Sequence, residues 1–173
     1  KLYKFLSKAE LVVNVSSALE YYCINILNLA VDKVISIENG GEVFEPVQNK
    51  LSDLFKDKVI TLTQFKQVFI WSGSINPLQG VNDIETIVSH LPDTSAIIIV
   101  SDRQFINSEI FNKLNVFVFI KPSRNELGYL YQKSDIGLAL YNDEYDWSRI
   151  GFYQSSLKYY EYLANGLNVY CPP

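Results

Sequence analysis

Apolar runs of five or six residues alternate with longer segments of mixed polarity along most of the chain. The runs VFIWS (68–72), AIIIVS (96–101) and VFVFI (116–120) predict strands that are buried on both faces. The segments between them have the length of short helices, and this alternation is typical of a parallel sheet covered by helices. We therefore predict an α/β fold with a doubly wound parallel sheet, in which ligands bind beyond the carboxyl ends of the strands.

The same reading gives a full set of expected elements. Strands are predicted at 9–15, 33–38, 59–62, 68–72, 96–101, 116–120, 136–141 and 167–171. Helices are predicted at 18–29, 49–55, 82–91, 104–114, 126–133 and 155–165. Ser123 and Glu126 have the spacing of a capping box, and Gly166 suits the position just after the end of the last helix.

Composition and charge exclude several classes of function. The chain has 173 residues, 48% of them apolar, and its net charge of −4 argues against the basic surface of a nucleic-acid-binding protein. Its apolar runs are too short to span a bilayer, and no signal-peptide pattern stands at its start. Cys23 and Cys171 lack motif spacing, which indicates a reduced cytosolic compartment, and the single histidine, His90, excludes a multi-histidine metal site within this chain.

Two segments can carry chemistry. The first is the loop SGSIN (72–76), where a glycine at a strand end lets backbone amides approach a phosphate, although an ordinary tight turn fits the pattern too. The second begins with Ser155 and Ser156, whose position at a helix start favours an anion. Lys158 lies in the first turn, where a cation costs about 0.3–1 kcal/mol unless an anion binds nearby.

Glu161 follows Lys158 by three residues and therefore shares its helix face. A carboxylate can accept hydrogen bonds from two adjacent hydroxyls, such as those of a ribose. The alternative is an ordinary amphipathic helix with a Lys158–Glu161 pair on its surface.

The run LKYYEYLANGLNV (157–169) resembles the signature of retaining glycosyltransferases with two Rossmann-like domains, the GT-B type of group 1 or family 4. Four other segments resemble the family in the same order along the chain: AELVVNVS (9–16), KVISIENG (33–40), FIWSGS (69–74) and ELGYLYQKSDIGLAL (126–140). The match covers nearly the whole chain, and the order and spacing of its parts carry it.

The resemblance implies a role for particular residues. Glu161 would hold the ribose hydroxyls of a nucleoside-diphosphate sugar, the Gly73 loop would face the diphosphate, and the backbone at Lys121 would meet the base. Leu157 and Lys158 would lie near the phosphates. The implied donor-binding residues are Gly73, Ser74, Lys121, Arg149, Ser155, Ser156, Leu157, Lys158 and Glu161.

The chain also departs from the family pattern. Tyr153 stands where the family often has an acid, eight positions before Glu161, so the catalytic residue stays unassigned. Ser74 and Gln79 stand nearest to the positions of an arginine and a lysine. One missing charge at 4 Å would cost up to about 4 kcal/mol at a dielectric of 20, before solvation offsets it.

Three other features bear on donor binding and on catalysis. Lys158, Arg149 and Arg103 are candidate replacements for the missing cations, although both arginines also fit a solvated surface. The loop 142–148 holds three acids and a tryptophan, which suits contact with a sugar and equally suits a mobile acidic loop. His90 is expected only to end a helix.

The resemblance also divides the chain. Residues 1–45 would end an acceptor-type domain, 46–65 would form a linker, and 66–173 would form a nucleotide-sugar-binding domain truncated at its C-terminus. The chain starts with Lys1, lacks methionine and stops just after a predicted strand. We therefore expect a fragment of a longer enzyme, inactive by itself.

The function expected is transfer of a sugar from a nucleoside diphosphate to a saccharide or lipid-linked acceptor, with retention, in bacterial surface polysaccharide synthesis. No metal, cofactor or nucleic acid is expected, and the location would be the cytoplasm or the inner face of the membrane, reached peripherally through the missing domain. One alternative is a non-catalytic sugar-nucleotide-binding or assembly module, which Ser74, Gln79 and Tyr153 favour. Another is a sugar-nucleotide epimerase, which needs acid–base carboxylates or histidines that this chain does not show as a set.

Overall fold

The computed structural model describes residues 2–75, 80–103, 109–140 and 156–171. These residues form two compact units. The smaller comprises residues 2–40 with 156–157, and the larger comprises the remaining described residues from 41 onward. None of the helices in the described ranges is long and apolar enough to cross a membrane.

The smaller unit contains a parallel strand–helix–strand motif. Its elements are α1 (Leu2–Leu6), β1 (Val12–Asn14), α2 (Ser17–Tyr21) and β2 (Val34–Ser36). The two strands pair in parallel, and Ser16 caps α2 by accepting a hydrogen bond from the amide of Leu19. Of the helix predicted over 18–29, only the start is α-helical. After Tyr21 the chain continues as a π-helical turn at Tyr22–Ile26.

The larger unit is built on a five-stranded parallel sheet with the order β5-β4-β3-β6-β7. The strands are β3 (Gln67–Gly73), β4 (Ser95–Ser101), β5 (Val116–Ile120), β6 (Ile136–Leu138) and β7 (Asn168–Tyr170). The chain winds from β3 outward to β5 and then returns to place β6 on the other side of β3. This order confirms the predicted doubly wound sheet and puts its topological switch point between β3 and β6.

Helices cover both faces of this sheet. On one face, α3 (Asp53–Ile60), α5 (Arg124–Gln132) and α6 (Leu157–Ala164) contribute residues to a core with β3, β4 and β5. On the other face lie α4 (Val81–His90) and a 3-10 turn at Glu109–Asn112. Every residue of β4 is buried, as its continuous apolar run predicts for a central strand with two covered faces.

Local signals placed several helix ends correctly. Ser123 and Glu126 form the predicted capping box at the start of α5, and Gly166 has a positive φ of 79° after α6. The strand predicted at 59–62 is wrong: these residues end α3 and enter a 3-10 turn at Thr61–Gln64. The reason is that Phe55, Val59 and Leu62 recur at helical spacing and together face the core.

The helix predicted over 104–114 is also only partly seen. Within its described residues, from 109 onward, the structure has just the 3-10 turn at Glu109–Asn112.

The segment that follows Gly41 packs along α5 and α6. A side chain at Gly41 would meet the carbonyl oxygen of Tyr160 at 2.0 Å, so only glycine fits there. The amide of Phe44 donates to Asn165 Oδ1 at 2.9 Å, and Val47 donates to Asn125 Oδ1 at 2.6 Å. Four residues of 46–65 join the core of the larger unit: Leu51, Phe55, Val59 and Leu62. The domain boundaries expected from the sequence stay a prediction.

Candidate functional site

The carboxyl ends of β3 and β4 lie side by side, and the loops that follow them are joined by hydrogen bonds. Gly73 pairs with Ser101 in the sheet register. Beyond it, the amide of Ile75 donates to Asp102 Oδ1 at 3.0 Å, and this hydrogen bond lowers the pKa of the Asp102 carboxyl. Arg103 donates from its guanidinium to the carbonyl oxygen of Ile75. The structure therefore brings Arg103 beside the loop that holds Gly73 and Ser74.

A hydrogen-bonded network connects α6 with the carboxyl end of β3. The hydroxyl of Tyr131, on α5, donates to Glu161 Oε2 at 3.1 Å and lies 3.4 Å from Ser72 Oγ. The amide of Ser72 donates to the hydroxyl oxygen of Tyr162 at 2.9 Å. Glu161 and Tyr162 are neighbours in α6, so two successive side chains of that helix are connected to Ser72, the residue before Gly73.

Aromatic packing holds this network in place. Tyr131 and Tyr162 are fully buried, and their rings meet edge to face with centroids 5.7 Å apart. The Tyr162 ring lies against β6, where a side chain on Gly137 would come within 2.3 Å of it. Glu161 is half-buried at the margin of this packing. Its Oε2 accepts from Tyr131, and Oε1 makes no hydrogen bond among the described residues, so a ligand could donate to it.

Lys158 is the other charged side chain of α6 in this region. It is only 8% exposed, and its ammonium lies 5.2 Å from the centre of the Trp71 ring. Burial lowers the pKa of Lys158 from 10.5 to about 8. A surface pair with Glu161 therefore does not describe this lysine, whose charge is held near the end of β3 instead.

The remaining predicted residues lie at separate places. Lys121 follows β5 with a positive φ of 45°, and its amide donates to the carbonyl oxygen of Ser101 at 2.8 Å. It thus shares the carboxyl edge of the sheet with Gly73, at a distance of two strands. Ser156 precedes α6, and Leu157 is its first residue and is exposed. Four candidates and one loop lie outside the described residues: Gln79, Arg149, Tyr153, Ser155 and 142–148.

His90 is the last residue of α4, as expected, and takes no part in this edge. Its Nδ1 lies 2.9 Å from the carbonyl oxygen of Thr86 and 2.8 Å from Ser89 Oγ. These contacts are local to the helix end and explain the residue without a ligand.

Sequence reasoning missed the residues that organise the site. Trp71 and Tyr131 were each part of an apolar pattern. Ser72 opened the loop 72–76 and Tyr162 stood in the run 157–169, but neither was singled out as a residue with a function. A partial signal exists: Tyr131 falls on the buried face of α5 with Leu127 and Leu130, where a hydroxyl must find a partner. The identity of that partner, Glu161, cannot be read from spacing, because the two residues belong to different helices.

Comparisons with known proteins bear on the fold. No protein-family model and no curated protein matches the chain in sequence. Among solved structures, sucrose-phosphate synthase from Thermosynechococcus elongatus is similar, with a TM-score of 0.69 and 15% identity over 98% of this chain and 42% of its own. WaaG, a glycosyltransferase involved in lipopolysaccharide biosynthesis, gives 0.63 and 12% over 92% of this chain and 43% of its own.

A third similar structure is HepE from Anabaena in complex with UDP-glucose. Its TM-score is 0.59, with 13% identity over 80% of this chain and 40% of that protein. The chain thus spans about two-fifths of the length of these three proteins. At these identities the likeness shows the fold. The chain therefore has the Rossmann-like α/β fold that is found in glycosyltransferases.

Proposed function

We propose that this chain carries the nucleotide-sugar-binding part of a retaining glycosyltransferase. The observation that carries the proposal is the placement of the Glu161 carboxylate, connected through Tyr131 to Ser72 at the end of β3. The carboxyl end of β3 borders the switch point of the sheet, where folds of this class bind their ligands. The complex of HepE with UDP-glucose supports a nucleoside-diphosphate sugar as the ligand class.

The diphosphate, the ribose and the base of a donor each have a proposed counterpart on this edge. The backbone of the loop at Gly73, with Arg103 beside it, suits a diphosphate, because amides and a guanidinium stabilise negative charge. The free oxygen of Glu161 suits a ribose hydroxyl. The turn at Lys121, two strands away from β3, suits the base. Such groups would stabilise the diphosphate as it leaves the sugar, which is the step that this part of the enzyme assists.

The acceptor, the stereochemical outcome and the setting belong to the same proposal. We propose a saccharide or lipid-linked acceptor and a role in bacterial surface polysaccharide synthesis, for which the role of WaaG in lipopolysaccharide biosynthesis is the support. Cys23 and Cys171 are both free thiols, which agrees with a reducing cytoplasm. Peripheral contact with the inner face of the membrane is compatible with a lipid-linked acceptor.

The experiment is a calorimetric titration of the full-length protein with UDP and GDP, followed by a transfer assay with the sugar nucleotide of the base that binds. We expect binding that Glu161→Gln weakens at least tenfold, since one carboxylate–hydroxyl pair is lost. The control is Glu109→Gln, on the 3-10 turn of the larger unit and not among the proposed donor contacts. Absence of heat with either nucleotide at millimolar concentration would refute donor binding.

A non-catalytic binding module is the second candidate. It is favoured by Ser74, which sits uncharged in the loop that would face a diphosphate. The two candidates differ in the transfer assay: a module binds the nucleotide but neither transfers the sugar nor hydrolyses the donor.

A further inference from the structure

We propose that Tyr131 is a positioning residue that orients the Glu161 carboxylate, and that this orientation makes the site prefer ribose to deoxyribose nucleotides. The inference rests on the proposed binding of ribose by Glu161. Tyr131 is 1% exposed, so its hydroxyl is out of reach of a ligand and acts through Glu161. It lies 3.1 Å from Glu161 Oε2.

The direction of the hydrogen bonds in this network follows from their chemistry. An ionised carboxylate only accepts, so the single proton of the Tyr131 hydroxyl points toward Glu161. The contact of 3.4 Å between Tyr131 and Ser72 then needs the serine hydroxyl as its donor. Burial raises the pKa of Tyr131, so the tyrosine keeps its proton over the biological range of pH.

Orientation matters because a glutamate side chain on a helix is otherwise free to rotate. With Oε2 held by Tyr131, Oε1 is presented in one direction from a half-buried position. A ribose hydroxyl that binds there does not have to order the side chain, and this lowers the entropy cost of binding. A deoxyribose has no hydroxyl to gain from this preparation.

The same network connects Glu161, which would bind the ribose, with the Gly73 loop, which would face the diphosphate. Ser72 donates from its amide to Tyr162 and contacts Tyr131 through its hydroxyl, and Gly73 follows it directly. Since the Tyr131 ring packs edge to face on Phe44 and on Tyr162, phenylalanine can keep this packing and lose only the hydroxyl. Tyr131→Phe therefore separates orientation of Glu161 from packing of the core.

The test is a calorimetric titration of full-length Tyr131→Phe with UDP and with 2′,3′-dideoxy-UDP. We expect a three- to tenfold loss of affinity for UDP, little change for the dideoxy compound, and hence a smaller ribose preference. Tyr129→Phe is the matched control, because Tyr129 lies two residues away on α5 and makes no hydrogen bond through its hydroxyl among the described residues. It should keep the wild-type ribose preference.

If Tyr131 had only a structural role, Tyr131→Phe would lower the affinity for UDP and for the dideoxy compound equally, and that result would overturn the inference. The inference would also be overturned if Tyr131→Phe kept the wild-type ribose preference while Glu161→Gln reduced it. That outcome would leave the proposed function standing. If Glu161→Gln also keeps the full preference, the ribose role of Glu161 is wrong and the inference fails with it. The wild-type protein gives a second measurement should Tyr131→Phe not fold: it should bind UDP more tightly than 2′,3′-dideoxy-UDP, and equal affinities for the two compounds would overturn the inference.

Discussion

Replacing Lys158 with methionine should stabilise the protein at neutral pH and weaken the binding of a nucleoside diphosphate. Lys158 is buried against Trp71, and burial lowers its pKa from 10.5 to about 8. Each pKa unit is worth about 1.4 kcal/mol, so keeping the lysine charged at pH 7 costs the fold about 3 kcal/mol. The attraction of the ammonium to the indole ring offsets about 0.5–2 kcal/mol of that cost. These two contributions together favour Lys158→Met by about 1–3 kcal/mol at pH 7.

The pH dependence of stability has a definite sign. Because the pKa of Lys158 is lower in the folded protein, the unfolded chain binds more protons between pH 8 and pH 10.5. The cost is therefore fully present below pH 8, and the wild-type free energy of unfolding rises as the pH increases through this window. The methionine variant has no such group and should lack this part of the rise.

The assay is urea denaturation followed by circular dichroism at pH 7 and at pH 10, with wild type, Lys158→Met and Lys133→Met. Lys133 is a fair control because its ammonium also lies over a ring, that of Tyr129 at 5.4 Å, from a partly exposed position. The control should not gain stability at pH 7. A Lys158→Met protein that is less stable than wild type at pH 7, or that keeps the full rise with pH, would refute the argument from burial. Gain of stability with loss of UDP affinity is the combination expected of a residue retained for function.

Three further predictions test the packing and the charge of the same unit. Gly137→Ala should lower the free energy of unfolding by about 1–3 kcal/mol, since the new methyl group would meet the Tyr162 ring at 2.3 Å; unchanged urea denaturation would contradict this. Ser123→Ala should cost about 1 kcal/mol through loss of the capping box, measured in the same way, and an equal stability would show that the cap contributes nothing. Arg103→Gln should weaken UDP binding severalfold at low salt and less at high salt, because an exposed cation is screened; calorimetry at two salt concentrations checks it, and a loss that ignores salt would assign the effect to the Ile75 contact instead.

The sequence by itself determined the class of fold and most elements of the larger unit. The run from Ala96 to Val100 is apolar at every position and rich in β-branched residues, which favours a strand covered on both faces. The caps at Ser123 and Gly166 depend on chemistry within one turn of the chain and were predicted correctly. The strand predicted at 59–62 was wrong because a short apolar run fits a strand and a buried helix end alike. Only the packing of the core shows which of its side chains are buried.

The sequence also gave the candidates for the site, through the run from Leu157 to Val169, but not their surroundings. Spacing put Lys158 and Glu161 on one helical face, and the fold gave them different neighbours: Trp71 for the lysine and Tyr131 for the glutamate. Those neighbours come from other elements, and the bond from Ser72 to Tyr162 joins residues 90 positions apart. Local propensity acts over a few residues, whereas burial, a lowered pKa and the orientation of a carboxylate depend on groups that only folding brings together, so the tertiary structure alone decided them.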